Sequence, residues 1–507
     1  MRNFSLYIAL FFVIVSVTKQ SYAQSDKPFL SGSIKNYPMQ PLYLYQCYGD
    51  TLLLADSTHT NKKGEFLFFF NHGNHANQKN HGSDNVAGLY KVILHSNQWF
   101  YVLAPSPEGE GRGEVEIKTL YQPSPFYNIA TDSLRVIKSL ENKKFYEFQK
   151  KQQQLNVANY FLLQMMRLYP LYDPFHEQIE KEYFARHKAM AQFLKDIFAE
   201  DSARGNPSLL GRLGRAYFPV NPDWKQPDPW RDSIIAAHYF DYFNPADSFY
   251  LHTNILPEKM DIYLDLRTNK RDNYGQPVFN EMLFAEAAKE FLEKAKTNTV
   301  HFDFLLNYFL KKFSKEHKDN AFLFLYDTYL KTAEGDCGTW DDDSLRFGKG
   351  SRWAWAREKA SILRGLQIGS ISPDFTIEEE KLNLHQVKSD YILLLFWATW
   401  CPHCTQAVLE IKKVVDNFNQ QNEEKLLTVA VSLDTDREQW QKFITENNLL
   451  SFLNFSELKG WQSEVAKKYN VYATPTLFLL DKEKRILAIM GNLNELEQEL
   501  NNLYEEK

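Results

Sequence analysis

The stretch Tyr391-Ile392-Leu393-Leu394-Leu395-Phe396-Trp397-Ala398-Thr399-Trp400-Cys401-Pro402-His403-Cys404 decides how this chain is read. Tyr391–Trp397 is continuously apolar, as expected of a strand buried on both faces. A helix is predicted from about Pro402 to Gln421, with Val408, Ile411, Val415 and Phe418 as its inward stripe. The two cysteines therefore fall where a buried strand gives way to a helix N-terminus. Unpaired N–H groups and the positive end of the helix dipole favour a thiolate on Cys401. Pro402 suits the first turn, where its missing N–H would have no partner. Two intervening residues put the second thiol within one helical turn, so Cys404 can attack a mixed disulfide formed at Cys401. Cys401 is read as the nucleophile and Cys404 as the resolving thiol.

The rival reading of the pair is half of a zinc site. A structural site needs four ligands, and no second Cys-x-x-Cys exists; His385 and His403 are the histidines of this region. No metal or other cofactor is expected. His403 is either an exposed spacer or a tuning residue, because a partly cationic imidazole would lower the Cys401 pKa and make the disulfide a stronger oxidant. Thr474-Pro475-Thr476 precedes an apolar run. Its X–Pro bond is either cis or the ordinary trans bond of a strand start.

Outward from the pair, β and α patterns alternate from about Gly365 to the end. Leu426–Leu433 reads as a second buried strand, and Glu438–Asn447 as a helix presenting Trp440, Phe443 and Ile444. Thr476–Leu480 and Arg485–Met490 read as a hairpin, and Asn494 as the cap of a final helix bearing Leu496, Leu500 and Leu503. Residues 126–365 are helical in pattern. Leu134, Ile137 and Leu140 open the series, and the blocks Met282–Lys296 and Phe302–Phe313 carry apolar residues at helical spacing. Residues 27–125 show short apolar runs at Leu42–Gln46, Thr51–Ala55, Glu65–Phe70, Leu89–His95, Trp99–Ala104 and Glu114–Thr119. Turn signals separate them, as in a small sandwich. The expected architecture is multidomain: a β-sandwich-like domain at 27–125, an α-helical domain at 126–365, and an α/β domain at 366–507.

Composition fits this plan. The chain has 507 residues, too many for one core, and its 28 Tyr and 38 Phe supply large side chains to bury. A net charge of −6 gives no reason to expect a nucleic-acid partner. Arg2, the apolar run Phe4–Val17 and Ser21-Tyr22-Ala23 have the layout of a signal peptide over residues 1–23, cut before Gln24. The mature chain is then expected to be soluble in the periplasm or cell envelope, and an uncleaved anchor is the alternative. Only four cysteines occur, Cys47, Cys337, Cys401 and Cys404, too few for a disulfide scaffold of this length. Cys47 and Cys337 are read as separate free thiols, His72, His75 and His81 as incidental residues of a polar loop, and Asp341-Asp342-Asp343 as a solvated turn.

The segment Phe396–Cys404 resembles the active-site strand and turn of the TlpA/ResA-like thioredoxins of bacterial envelopes. Ser372-Pro373-Asp374-Phe375, Val431-Ser432-Leu433-Asp434 and Tyr469–Asp481 resemble that family's opening strand, central strand end and closing segment. The resemblance spans about residues 366–507, and the three-part layout is similar to multidomain thioredoxin-like proteins of Bacteroidetes. It implies a thioredoxin fold, a redox-active Cys401/Cys404 pair, and active-site tuning by Trp400, Pro402 and His403. It also implies a cis Pro475, with the Thr474 backbone pairing to an extended substrate. The partners implied are thiol- or disulfide-containing envelope proteins and a membrane electron-transfer protein. Two positions depart from the pattern. Leu395 stands where thioredoxin has a buried Asp, and Ala407 where ResA-like members have a Glu, so the proton acceptor for Cys404 is not identified; Glu410 lies off its helical face. Pro402-His403 is the dipeptide of the strongly oxidising DsbA family, while the frame is that of envelope reductases, so both directions of electron flow stay open. The rival class is a polypeptide- or ligand-binding envelope protein that uses the thioredoxin-like domain as a scaffold.

Overall fold

A computed structural model describes residues 28–69, 87–95, 97–104, 114–170, 172–205, 207–220, 222, 226, 228–271, 276–331, 352–377, 381–422 and 425–505. The signal-peptide reading, His72, His75, His81, Cys337 and Asp341–Asp343 fall outside them. Two compact units are present, residues 1–308 and 309–507.

The first unit opens with a sandwich. Its strands are β1 (Leu30–Lys35), β2 (Pro41–Tyr48), β3 (Thr51–His59), β4 (Glu65–Phe68), β5 (Gly88–His95), β6 (Gln98–Ala104), β7 (Val115–Leu120) and β8 (Arg135–Lys138). They form two four-stranded sheets, β4-β1-β7-β8 and β3-β2-β5-β6. Alternate residues such as Leu30, Ile34, Val92, Val102, Val115 and Ile117 share one buried cluster between the sheets. Gly64 turns the chain into β4 with φ +78, and a Cβ there would strike the Ile34 carbonyl. Strand β8 replaces the helix expected from Leu134 and Ile137. Val136 pairs with Ile117 of β7, and Ser139 at φ 90 breaks the chain before the helix that follows.

The helices of this unit are α1 (Ile129–Asp132), α2 (Leu140–Leu168), α3 (Pro174–Arg204), α4 (Leu209–Ala216), α5 (Asp228–Ala237), α6 (Ser248–Leu251), α7 (Ile255–Thr268), α8 (Glu281–Ala295) and α9 (Thr299–Lys315), whose last turns enter the second unit. Ser139 and Asp173 cap α2 and α3 through their side chains. The pairs Lys144–Glu200, Lys151–Phe193 and Asn159–His187 run in opposite directions along the two, which makes them an antiparallel hairpin. Two short strands, β9 (Lys270–Arg271) and β10 (Pro277–Val278), pair beside α8 in sequence. No helix among the described residues is long and apolar enough to cross a membrane.

The second unit continues through α10 (Asp319–Tyr326) and α11 (Ala354–Gly365) into a thioredoxin-like layer of strands and helices. Its strands are β11 (Thr376–Ile377), β12 (Leu382–Asn383), β13 (Tyr391–Trp397), β14 (Leu426–Ser432), β15 (Leu453–Phe455), β16 (Thr476–Asp481) and β17 (Ile486–Met490). Its later helices are α12 (Pro402–Gln421), α13 (Arg437–Glu446), α14 (Glu464–Lys468) and α15 (Leu493–Glu505). Five strands make one sheet in the order β15-β14-β13-β16-β17. Strand β13 lies at its centre, parallel to β14 and antiparallel to β16, with Leu395 opposite Ala430 and Leu477.

That position explains the unbroken apolar run. Leu393, Leu395 and Trp397 join Val408, Ile411 and Val415 of α12, Trp440 and Ile444 of α13, and Leu496 and Leu500 of α15. Ile392, Leu394 and Phe396 face the opposite cluster, with Phe375, Tyr469 and Phe478. Period-2 alternation sends every second side chain to each layer, so all must be apolar. The cap of α15 is Asn492 in place of the expected Asn494, since the Asn492 side chain accepts from Glu495 N at 3.1 Å.

Candidate active site

Strand β13 ends at Trp397, and Ala398–Trp400 form the turn that delivers Cys401 to the N-cap of α12, with Pro402 in the first helical turn. Cys404 N donates to the Cys401 sulfur at 3.3 Å and to the Cys401 carbonyl at 3.0 Å. The Cys401 sulfur also lies 3.6 Å from the Thr474 carbonyl oxygen, and the Thr474–Pro475 bond is cis. Residues far apart in sequence thus meet at one sulfur: Cys401 and Cys404 from the helix start, and Thr474 from the loop entering β16.

The two thiols differ in access and in proton affinity. Cys401 retains 8% of its surface and Cys404 none, so a substrate sulfur can reach only the first. Burial alone would raise the Cys401 pKa. Hydrogen bonds from the Cys404 and Thr474 side chains and from the backbone N–H groups of Cys404 and His403 outweigh it, and leave the thiol below its ordinary value. Cys404 moves the opposite way. Burial first, then its hydrogen bond and the charge of Cys401, push it up to about 12. The same contact favours the thiolate form of Cys401 and the thiol form of Cys404.

Of the residues read as tuning the pair, Pro402 and His403 are exposed on the outer side of the first turn. The backbone N–H of His403 is among the groups that lower Cys401. Trp400 is half-exposed, its indole N–H donates to the Leu433 carbonyl at 3.2 Å, and its ring meets Trp461 edge-on at 6.0 Å. His385, the other zinc candidate, has Nε2 on the Ser372 carbonyl at 2.8 Å. Leu395 sits in the core with no exposed surface, Ala407 packs against it, and Glu410 accepts from Gln406. Cys47 is a buried free thiol in β2, pushed up to about 12 by burial.

One residue that shapes the site escaped the sequence reading. Asp434 is 2% exposed, and its carboxylate accepts from Thr399 N at 3.0 Å, Thr399 Oγ1 at 2.6 Å and Ser432 Oγ at 2.6 Å. It fastens the turn before Cys401 to the end of β14. Trp397 reinforces that junction by accepting from Leu433 N at 2.8 Å. The signal was present in Val431-Ser432-Leu433-Asp434, an acid closing a buried strand.

The Thioredoxin-like family model matches residues 389–486. The chain is 33% identical over 142 residues to the thioredoxin-like protein YneN of Bacillus subtilis (strain 168), covering 27% of this chain and 78% of that one. It is 30% identical over 127 residues to the thiol-disulfide oxidoreductase ResA of Geobacillus kaustophilus (strain HTA426), covering 24% and 68%. A solved thiol-disulfide oxidoreductase from Bacteroides fragilis NCTC 9343 is 29% identical, covers 26% of this chain and 99% of its own, and superposes with a TM-score of 0.24. On the strength of the likeness to YneN and ResA, over most of the length of each, the chain belongs to the thioredoxin-like family of thiol–disulfide oxidoreductases.

Proposed function

We propose that the protein exchanges dithiols and disulfides with other proteins of the cell envelope through Cys401 and Cys404. The observation that carries this reading is the geometry of the pair, an accessible Cys401 at the N-cap of α12 whose sulfur accepts from Cys404 N at 3.3 Å, with the Cys404 thiol enclosed behind it. In the reducing direction, the Cys401 thiolate attacks one sulfur of a substrate disulfide. A Cys401–substrate disulfide forms, and the departing substrate thiolate takes up a proton. Cys404 then gives up its proton and attacks the Cys401 sulfur, which releases the second substrate thiol. The substrate gains two electrons and the protein is left with a Cys401–Cys404 disulfide. The same steps in reverse donate a disulfide. In this reading the Thr474 backbone, 3.6 Å from the Cys401 sulfur, pairs with an extended substrate segment, and Trp400 offers that segment an aromatic edge. The leader-like residues 1–23 support an envelope location, where a membrane electron-transfer protein would return the pair to its working state.

The test is insulin-disulfide reduction by the full chain and by Cys401→Ser. Activity in the wild type and a background rate in the variant are expected; equal rates would overturn the reading. The reduction potential of the pair then sets the direction, a high value favouring disulfide donation and a strongly negative one reduction.

A further inference from the structure

The loop that presents Thr474 to Cys401 is held from outside the family match. Two residues past the end of helix α14 at Lys468, Asn470 adopts a left-handed conformation with φ 50, one that asparagine tolerates. Its side chain bonds to residues of α10 and α11. Asn470 Nδ2 donates to Asp319 Oδ2 at 2.9 Å, and Lys359 Nζ donates to Asn470 Oδ1. Lys359 and Asp319 close the triangle at 4.0 Å. Two residues on, the Tyr472 ring stacks on His317, with centroids 3.3 Å apart and planes 11° from parallel. His317, Asp319 and Lys359 come from α10, the turn before it, and α11, which the Arg364–Asp327 ion pair ties together. All three precede residue 389, where the family model begins to match.

We propose that this latch, built from His317, Asp319, Lys359, Asn470 and Tyr472, positions the loop carrying Thr474 and thereby sets how tightly the site holds a polypeptide disulfide. It rests on the redox reading and adds a determinant of substrate affinity to it. These are positioning residues, since none touches the reacting sulfurs. The physical logic is preorganisation. Between Asn470 and Pro475 the chain has no strand or helix of its own, so a side-chain anchor at each of two nearby positions removes freedom that substrate binding would otherwise have to remove.

The experiment measures kcat and KM for insulin reduction by the full chain, by Asn470→Ala and by His317→Ala, with urea midpoints to register folding. The latch predicts a KM raised about tenfold in Asn470→Ala, with kcat changed less than about twofold. His317→Ala, which removes only a stacked ring, gives a smaller rise of the same kind. Wild-type KM in a folded Asn470→Ala would overturn the proposal, as would a fall confined to kcat. Should Asn470→Ala not fold, His317→Ala decides on the same criterion. A wild type that fails to reduce insulin while its Cys401–Cys404 pair is reducible would instead strike the redox reading itself.

Discussion

At Cys401 burial and hydrogen bonding oppose each other, and hydrogen bonding prevails. The rate of alkylation by iodoacetamide should therefore rise through a midpoint below the ~8.5 of a free cysteine. Lowering the pKa leaves more thiolate at any pH beneath that value. In Cys404→Ala one donor to the sulfur is gone, so the midpoint should move upward; an unchanged midpoint would show that the Cys404 thiol does not support the thiolate. The same variant should accumulate substrate as a stable mixed disulfide, because no second thiol can release it. Asp434 acts one shell further out. Asp434→Ala would strand the Thr399 N–H and two hydroxyls, a loss of about 3 kcal/mol from the urea unfolding free energy, and Asp434→Asn about 1 kcal/mol. Cys401 and Cys404 could be singled out because their chemistry is written in adjacent residues, whereas the cis Thr474–Pro475 bond was implied only by the family resemblance. Asp434 was not, since its donor Thr399 lies on another strand's exit, 35 positions away.

Elements read well wherever one periodicity ran uninterrupted. β13 and α12 were legible to the residue, because the strand is buried on both faces and the helix carries its apolar stripe between a proline start and a polar end. β1 was missed, since Leu30–Lys35 has few apolar residues and gains its order from pairing with β4 and β7. β8 was misread because Leu134, Ile137 and Leu140 fall by coincidence at helical spacing, while the pairing with β7 decides the conformation. The cap of α15 shows the same limit at a finer grain. Two asparagines lie two positions apart, and the choice between them depends on where the chain leaves β17. Asn492 caps the helix and Asn494 lies within its first turn. Asn492→Ala should therefore cost about 1 kcal/mol in urea unfolding, and Asn494→Ala within about 0.5 kcal/mol of nothing. The reverse order would return the cap to Asn494.

Across the molecule, local pattern and compactness divide the chain at different places. Periodicity changes near Gly365, where the helical series gives way to alternating β and α. The compact unit that contains the redox sheet begins earlier, at Phe309. Contacts explain this. Leu366 is buried in the cluster beneath β13 and β16, Ile362 of α11 packs against it, and Asp319 and Lys359 hold Asn470. Such contacts link residues more than a hundred positions apart, so no sequence window contains both partners. They also make the role of α10 and α11 measurable. A fragment from Thr299, which keeps α9 whole, should be more stable to urea than one from Leu366. The difference should be about 2–4 kcal/mol, from the apolar surface of Ile362 together with the Asn470 hydrogen bonds. The longer fragment should also show the larger dependence on urea, because it exposes more surface on unfolding. Equal unfolding free energies would mean that α10 and α11 rest on the redox domain without stabilising it, and the latch on Asn470 would then have no energy with which to position the loop.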